Sequence, residues 1–85
     1  ATFDAICIHN KGLILDCNKR METMFGYSMV ELIGMNLSYI LIPRSEGSEL
    51  ASYFGIRKDR TQIAVEIFTN KIRFKGKKVE VFLIR

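Results

Sequence analysis

Residues 20–42 read RMETMFGYSMVELIGMNLSYILI, a stretch with the pattern of two short amphipathic helices and the start of a third. Gly26 and Gly34 punctuate it, and glycine readily adopts the left-handed backbone that ends a helix. Strand patterns lie on either side, at Phe3–His9, Leu13–Cys17, Phe54–Lys58, Thr61–Thr69 and Lys77–Ile84. Two strands, a group of small helices and three more strands predict an α+β domain with its helices on one face of an antiparallel sheet.

Capping residues position the first two helices. Asn18 precedes a helix predicted over Lys19–Phe25, and its side-chain oxygen suits the N-cap. Ser28 and Glu31 form a Ser-x-x-Glu capping box that starts a second helix, which we expect to end near Gly34. The apolar face of the first helix consists of Met21, Met24 and Phe25.

The region after the second helix carries weaker signals. Asn36 starts a third helical turn, and Pro43 closes it. The segment from 44 to 52 is polar and turn-like, with one helical turn expected around Glu49–Tyr53. Asp59-Arg60 is a tight connection without the glycine that a type I′ turn prefers. The apolar residues of the third turn are Leu37, Ile40 and Leu41.

Composition limits the classes of function. A chain of 85 residues with 48% hydrophobic and 26% charged residues is typical of one globular domain. Its apolar runs are far shorter than the roughly 20 residues that cross a bilayer, so we expect no direct membrane contact. The net charge of +4 reflects lysines and arginines near the last hairpin. They lack the interleaved aromatics or recognition helix of a nucleic-acid reader, and edge lysines also oppose aggregation.

Catalytic and metal-binding patterns are not evident. The aspartates are isolated, Ser28 is used as a cap, and His9 at a strand end reads as a polar surface residue. Gly26 and Gly34 are too far apart for a phosphate loop. Cys7 and Cys17 read as reduced thiols, with a disulfide between adjacent strands as the alternative. We therefore expect no enzymatic activity and no metal.

The last two strands predict two different faces by the period-two rule. One face is fully apolar and is expected to pack against the helices: Ile63, Val65, Ile67, Val79, Val81 and Leu83. The opposite face is mixed but carries Phe68, Phe82 and Ile84. Large apolar groups on a face that normally meets water indicate a covering partner, such as a flanking helix or a second subunit.

These elements, in this order, resemble a PAS domain, a sensory module of signalling proteins. AICIHNKGLILDCN is similar to the family's opening hairpin, MFGYSMVELIGMNL to its helical signature, and GIRKDRTQIAVEIFTNKIRFKGKKVEVFLIR to its last three strands. The resemblance covers essentially the whole chain, 1–85, as a single sensor domain. It implies a five-stranded antiparallel sheet in the order 2-1-5-4-3 with helices on one face.

The cofactor remains unknown from the sequence, although two types are disfavoured. PAS domains with blue-light flavin photochemistry carry Gly-x-Asn-Cys, and here Leu37 stands where the reactive cysteine would be, after Gly34 and Asn36. Members that bind haem ligate iron through a histidine on the long helix before the third strand, whereas His9 lies on the first strand. We therefore expect neither cysteinyl–flavin photochemistry nor His-ligated haem.

The segment between Pro43 and Phe54 is shorter than in most relatives, which place a pocket-closing helix there. Either this domain has lost that wall or a segment is absent from the sequence. A missing wall would leave the pocket open or small.

Two mechanisms fit a regulatory role in a two-component or related signalling protein, linked to a histidine kinase, cyclic-dinucleotide enzyme or transcription regulator. In the first, a small apolar ligand binds between helices and sheet, lined by Met21, Met24, Phe25, Leu32, Ile40, Val65, Ile67 and Val81. In the second, a ligand-free dimerisation module pairs two chains through Phe68, Phe82 and Ile84. We expect a cytoplasmic homodimer, whether or not the parent protein is membrane-anchored.

Overall fold

The computed structural model describes residues 4–44 and 51–85 and shows one curled antiparallel sheet with small helices on one face. The strands are β1 (Ala5–Asn10), β2 (Leu13–Cys17), β3 (Leu41–Pro43), β4 (Ala51–Ile56), β5 (Gln62–Phe74) and β6 (Lys77–Ile84). Between β2 and β3 lie α1 (Lys19–Phe25), α2 (Met29–Leu32) and a 3₁₀ helix (Leu37–Tyr39). The six strands are ordered β2-β1-β6-β5-β4-β3, so the predicted α+β class and the predicted order of five strands are confirmed.

The sixth strand, β3, is the main departure from the predicted elements. Leu41 was assigned to the third helical turn, but it begins β3, which pairs with β4 at the edge of the sheet. Only Leu37–Tyr39 form the turn after the Asn36 cap. The helical turn expected around Glu49–Tyr53 is wrong for its described part, because 51–53 belong to β4; Glu49 and Leu50 lie outside the described residues. β4 ends at Ile56, two residues before the predicted end.

Two-residue turns set the register of the β1–β2 and β5–β6 hairpins. Lys11-Gly12 joins β1 to β2 and Lys75-Gly76 joins β5 to β6, and all four residues have positive φ. Positive φ at both central positions defines the type I′ turn, whose twist matches that of paired strands. Asp59-Arg60 differs, since among the described residues of that turn only Arg60 (φ 75°) is left-handed. It is therefore not a type I′ turn.

The predicted caps are present in the structure. The Asn18 side-chain oxygen accepts from the backbone N–H of Met21 at 3.1 Å and of Ile6 at 2.9 Å, which ties α1 to β1. At α2, Ser28 Oγ accepts from the N–H of Glu31 at 3.2 Å, and Glu31 Oε1 accepts from the N–H of Ser28 at 2.9 Å. The capping box thus satisfies two backbone donors that the helix leaves free.

Ser28→Ala is expected to lower the free energy of unfolding by about 1 kcal/mol, because it removes the acceptor for the Glu31 N–H. Urea denaturation of the variant beside the wild type measures this loss. Ser38→Ala, at an exposed position of the 3₁₀ helix, serves as the control and should be close to neutral. A neutral result for Ser28→Ala would mean that this box does not stabilise the fold.

The pairing of strands defines an inner face, toward the helices, and an outer face. β5 and β6 pair Ile67 with Ile84 and Phe68 with Leu83, and residues directly opposite share a face. Ile84 is fully buried, and Phe82 packs against the core. The predicted faces of β6 were therefore wrong: Phe82 and Ile84 face inward, whereas Val79, Val81 and Leu83 face outward with Phe68.

The core lies between the inner face and the helices. Its fully buried side chains include Phe25, Met21, Leu32 and Ile40 from the helical region, with Val65 and Ile67 only 3% exposed on β5. Gly55 on β4 gives the Phe25 ring room, since a Cβ there would lie 3.0 Å from Phe25 Cε1. The sheet and α1 are thus closely packed where Phe25 meets β4.

Candidate functional site

A cleft of about 360 Å³ lies on the inner face, at the end of the sheet near the β1–β2 turn. Most of its wall surface is apolar. Its lining residues are His9, Lys11, Gly12, Asn36, Leu37, Ser38, Leu41, Pro43, Tyr53 and Phe82. A volume above about 300 Å³ is in the range of small-molecule sites.

Backbone hydrogen bonds hold the cleft's walls in place. The N–H of Leu37 donates to the carbonyl of Gly12 at 2.8 Å, which joins the 3₁₀ helix to the β1–β2 turn. The N–H of Ile56 donates to the carbonyl of Ile40 at 2.8 Å, which anchors the end of that helix to β4. The cleft is therefore framed by elements that the sheet itself positions.

His9 forms part of the cleft and is buried, with only 4% of its surface exposed. Its expected place on the surface was wrong, because His9 follows the buried Ala5 and Cys7 in the alternation of β1 and therefore faces inward. His9 Nδ1 accepts a hydrogen bond from the N–H of Gly12 at 3.0 Å. The ring also packs against Phe82, with 4.3 Å between centroids and an interplanar angle of 66°.

Burial lowers the pKa of His9 below its usual value of 6.5. The carboxylate of Glu80, which lies opposite on β6, acts the other way but is the weaker influence. Because the unfolded chain binds the proton more readily, this residue's contribution to stability is complete above about pH 6.5 and is lost as the pH falls through the lower, folded pKa.

We expect the melting temperature of the wild type to decrease as the pH is lowered from about 7 to about 5, the range in which histidine titrates. His9 is the only histidine in the sequence. A hydrogen bond from Lys58 lowers the pKa of Glu31 to about 2, and hydrogen bonds from Thr61 lower the pKa of Asp59. Both carboxylates therefore titrate in more acidic solution than His9. His9→Asn keeps an acceptor near the N–H of Gly12 but does not titrate. Thermal melts should therefore show a flatter pH profile for this variant, and parallel profiles would contradict the assignment.

A larger hollow of about 490 Å³ lies beside the end of α1 and the β4–β5 turn. Its polar groups are already engaged: Arg57 Nε donates to the Met24 carbonyl at 3.1 Å, and Lys58 Nζ contacts Glu31 Oε2 at 2.7 Å. The N–H of Lys58 also donates to the Phe25 carbonyl at 2.9 Å. These contacts cap α1 and brace the turn, so the hollow offers few free groups for recognition.

The outer face of the sheet carries a second candidate surface. On β1, β6 and β5, apolar residues lie opposite one another, and we call this set the outer apolar face: Ile6, Ile8, Phe68, Ile72, Val79, Val81 and Leu83. Val79 is 4% exposed and the others are partly buried. The guanidinium of Arg85 lies 5.0 Å from the centre of the Phe68 ring and covers part of it.

The predicted ligand-lining residues do not surround the cleft. Seven of them pack in the core, namely Met21, Met24, Phe25, Leu32, Ile40, Val65 and Ile67, and Val81 lies on the outer face. Of the predicted interface residues, only Phe68 faces outward. His9, Tyr53 and Leu41 were missed as lining residues. One local signal pointed to a structured role for His9: it lies three residues before Gly12, a spacing that lets its side chain accept a hydrogen bond from the N–H of the turn.

Metal-ligating side chains do not cluster among the described residues. These residues contain no group of three or more His, Cys, Asp or Glu side chains placed to hold a metal ion. Cys7 and Cys17 lie opposite each other on β1 and β2 as free thiols, and burial raises the pKa of Cys7 to about 12. A thiol with such a pKa is a poor nucleophile near neutral pH. None of the described helices combines the length and apolarity needed to span a membrane.

Comparison with known proteins identifies the family of this chain. The PAS domain family model matches residues 4–85. A PAS domain from Desulfitobacterium hafniense superposes with a TM-score of 0.85 at 20% identity, covering 100% of this chain and 93% of that one. A PAS domain from a two-component sensor histidine kinase gives 0.82 at 14% identity, with coverages of 99% and 85%.

The light-state dimer of the fungal blue-light photoreceptor Vivid gives a TM-score of 0.71 at 13% identity, with coverages of 99% and 77%. No curated protein sequence matches the chain. The family match spans nearly the whole sequence, and the sheet order, the capped helices and the inner-face core agree with it. The chain belongs to the PAS domain family.

Proposed function

We propose that this single domain is the regulatory sensor and relay module of a larger signalling protein, which transmits its signal by pairing with a second copy of itself through the outer apolar face. The linked output domain would be a histidine kinase, a cyclic-dinucleotide enzyme or a transcription regulator, working in the cytoplasm. The family match supports the signalling role, since one matched structure comes from a sensor histidine kinase.

The observation that carries this proposal is the continuity of the outer apolar face. It spans the three strands β1, β6 and β5, where Ile6 and Phe68 flank Leu83, and Ile8 lies beside Val81. A sheet face that meets water normally carries polar residues. A two-fold contact requires a patch that complements itself. An uncharged apolar patch complements itself because no like charges meet across the two-fold axis, even in a chain whose net charge is +4. A matched dimeric structure, that of Vivid, fits the same proposal.

Val81→Glu tests the interface, because Val81 lies on the central strand of the patch. We expect the wild type to sediment as a dimer and this variant as a monomer with native circular dichroism, since two-fold symmetry brings two new carboxylates into an apolar contact. Gln62→Glu adds the same charge at an exposed end of β5 and should remain dimeric. A monomeric wild type, or a dimeric Val81→Glu, would contradict the proposal.

A second candidate function is the sensing of a small apolar molecule in the cleft, and its volume and apolar walls favour it. Native mass spectrometry of protein purified without added ligand tests for a retained molecule. A mass above 9.8 kDa per subunit that disappears on denaturation would support retention. A clean mass of 9.8 kDa would favour relay without a retained ligand.

A further inference from the structure

The most informative unassigned group is the buried Nε2 of His9. Among the described residues, it is the buried side-chain nitrogen or oxygen for which the structure shows no hydrogen-bond partner. Buried polar groups are nearly always paired, and an unpaired one costs stability. Since His9 also lines the cleft, this exception lies where a small molecule would bind.

The hydrogen bond at the other ring nitrogen defines what Nε2 offers. Nδ1 accepts from the N–H of Gly12 at 3.0 Å, so Nδ1 carries no proton. In a neutral imidazole the proton then lies on Nε2, which becomes a donor. Its nearest aromatic neighbour, Phe82, offers at most a ring face, which is a weaker acceptor than oxygen.

The surroundings of Nε2 determine the class of acceptor. Leu37 and Leu41 are 5% and 6% exposed and, with Tyr53, form apolar walls, while Lys11 lies exposed toward the rim. An anion beside Nε2 would lose its hydration and gain a single neutral donor. An uncharged carbonyl oxygen loses less hydration free energy than an anion when it enters the cleft. Because Nε2 is buried, a ligand oxygen reaches it only if the partly buried Phe82 ring, which packs on His9, turns aside.

We propose that the cleft binds a small, uncharged carbonyl compound with an apolar body, whose oxygen accepts a hydrogen bond from His9 Nε2. This inference rests on the second candidate function. The Lys11 ammonium and the Glu80 carboxylate are the charged groups placed near His9, on the turn and on β6. Neither forms a hydrogen bond with Nε2, so the Nε2 donor is available to a ligand oxygen.

Three probes of similar shape separate hydrogen bonding from apolar burial and from charge: acetophenone, ethylbenzene and benzoate. Nuclear magnetic resonance titration of the ¹⁵N-labelled chain follows the amides of Gly12, Leu37 and Tyr53, together with the His9 ring nitrogens. Acetophenone should bind about five- to tenfold more tightly than ethylbenzene, the ratio that one net hydrogen bond supplies. Benzoate should bind more weakly than acetophenone.

Two variants of His9 distinguish the donor from the acceptor on the ring. His9→Asn keeps an acceptor for the Gly12 N–H but has no donor at the position of Nε2, so the preference for acetophenone should fall to about one. His9→Gln places an N–H near the position of Nε2 and removes the acceptor, so part of the preference should remain. If either variant fails to fold, the comparison of probes on the wild type decides alone.

The outcomes separate the inference from the function on which it rests. Equal binding of acetophenone and ethylbenzene to the wild type would overturn the role of His9 while supporting a cleft for apolar ligands. Tighter binding of benzoate would overturn the uncharged class. Absence of shifts in the cleft amides with every probe would overturn both the inference and the second candidate function. An unchanged preference in His9→Asn would show that another group is the donor.

Discussion

Val65→Asp is expected to lower the free energy of unfolding by several kcal/mol, enough to leave much of the protein unfolded at room temperature. Val65 is 3% exposed on the inner face of β5, opposite Tyr53 of β4. His9 is the one polar or charged side chain among the described buried residues, and it lies on β1, two strands away from Val65. The variant must therefore bury an unpaired charge or protonate it, and both are unfavourable.

Ala64→Asp is the matched control, since it adds the same charge to the same strand at the adjacent, exposed position. We expect it to lower the free energy of unfolding by about 1 kcal/mol or less. Urea denaturation followed by circular dichroism measures both variants. If Val65→Asp lowered the free energy of unfolding by no more than Ala64→Asp does, Val65 would not lie in the core.

Ile84→Glu should lower the stability far more than Leu83→Glu, although the two residues are adjacent. Ile84 is fully buried and lies between Ala5 and Ile67 on the inner face, so a carboxylate there should lower the free energy of unfolding by several kcal/mol. Leu83 is partly buried on the outer face, so its variant should remain folded at a cost nearer 1 kcal/mol. Equal losses of stability in denaturant would contradict the strand register.

The helices were predictable because their signals are local. The capping hydrogen bonds of Asn18, Ser28 and Glu31 join groups three residues apart, and Gly26 adopts the left-handed conformation (φ 80°) that ends α1. Such contacts depend little on the remainder of the fold, so sequence spacing alone indicates them. The same holds for the turns at Lys11-Gly12 and Lys75-Gly76.

The faces of β6 were harder to predict because both are apolar. Val79, Val81 and Leu83 alternate with Phe82 and Ile84, so periodicity alone cannot choose which set faces inward. The turn carries the missing information: Lys75-Gly76 pairs Phe74 with Lys77, and counting back from there pairs Ile67 with Ile84. β3 was missed for another reason, because three residues at a sheet edge are too few to show a period.

The cleft depends on contacts between distant parts of the chain. His9, Leu37, Tyr53 and Phe82 come from four separate elements, and sequence spacing does not report that they meet. The predicted lining relied instead on the most hydrophobic residues, such as Met21 and Phe25. These side chains are fully buried in the core and do not line the cleft. The unpaired state of His9 Nε2 is likewise a property of the assembled fold.

The proposed pairing of two chains through the outer apolar face is tested most directly by isotope-filtered nuclear Overhauser spectroscopy on a mixture of labelled and unlabelled chains. The account predicts contacts between chains from the methyl groups of Ile8, Val81 and Leu83, and none from the buried Ile84. Contacts between chains that map to the helical side, or a chain that stays monomeric at the concentrations used, would contradict it.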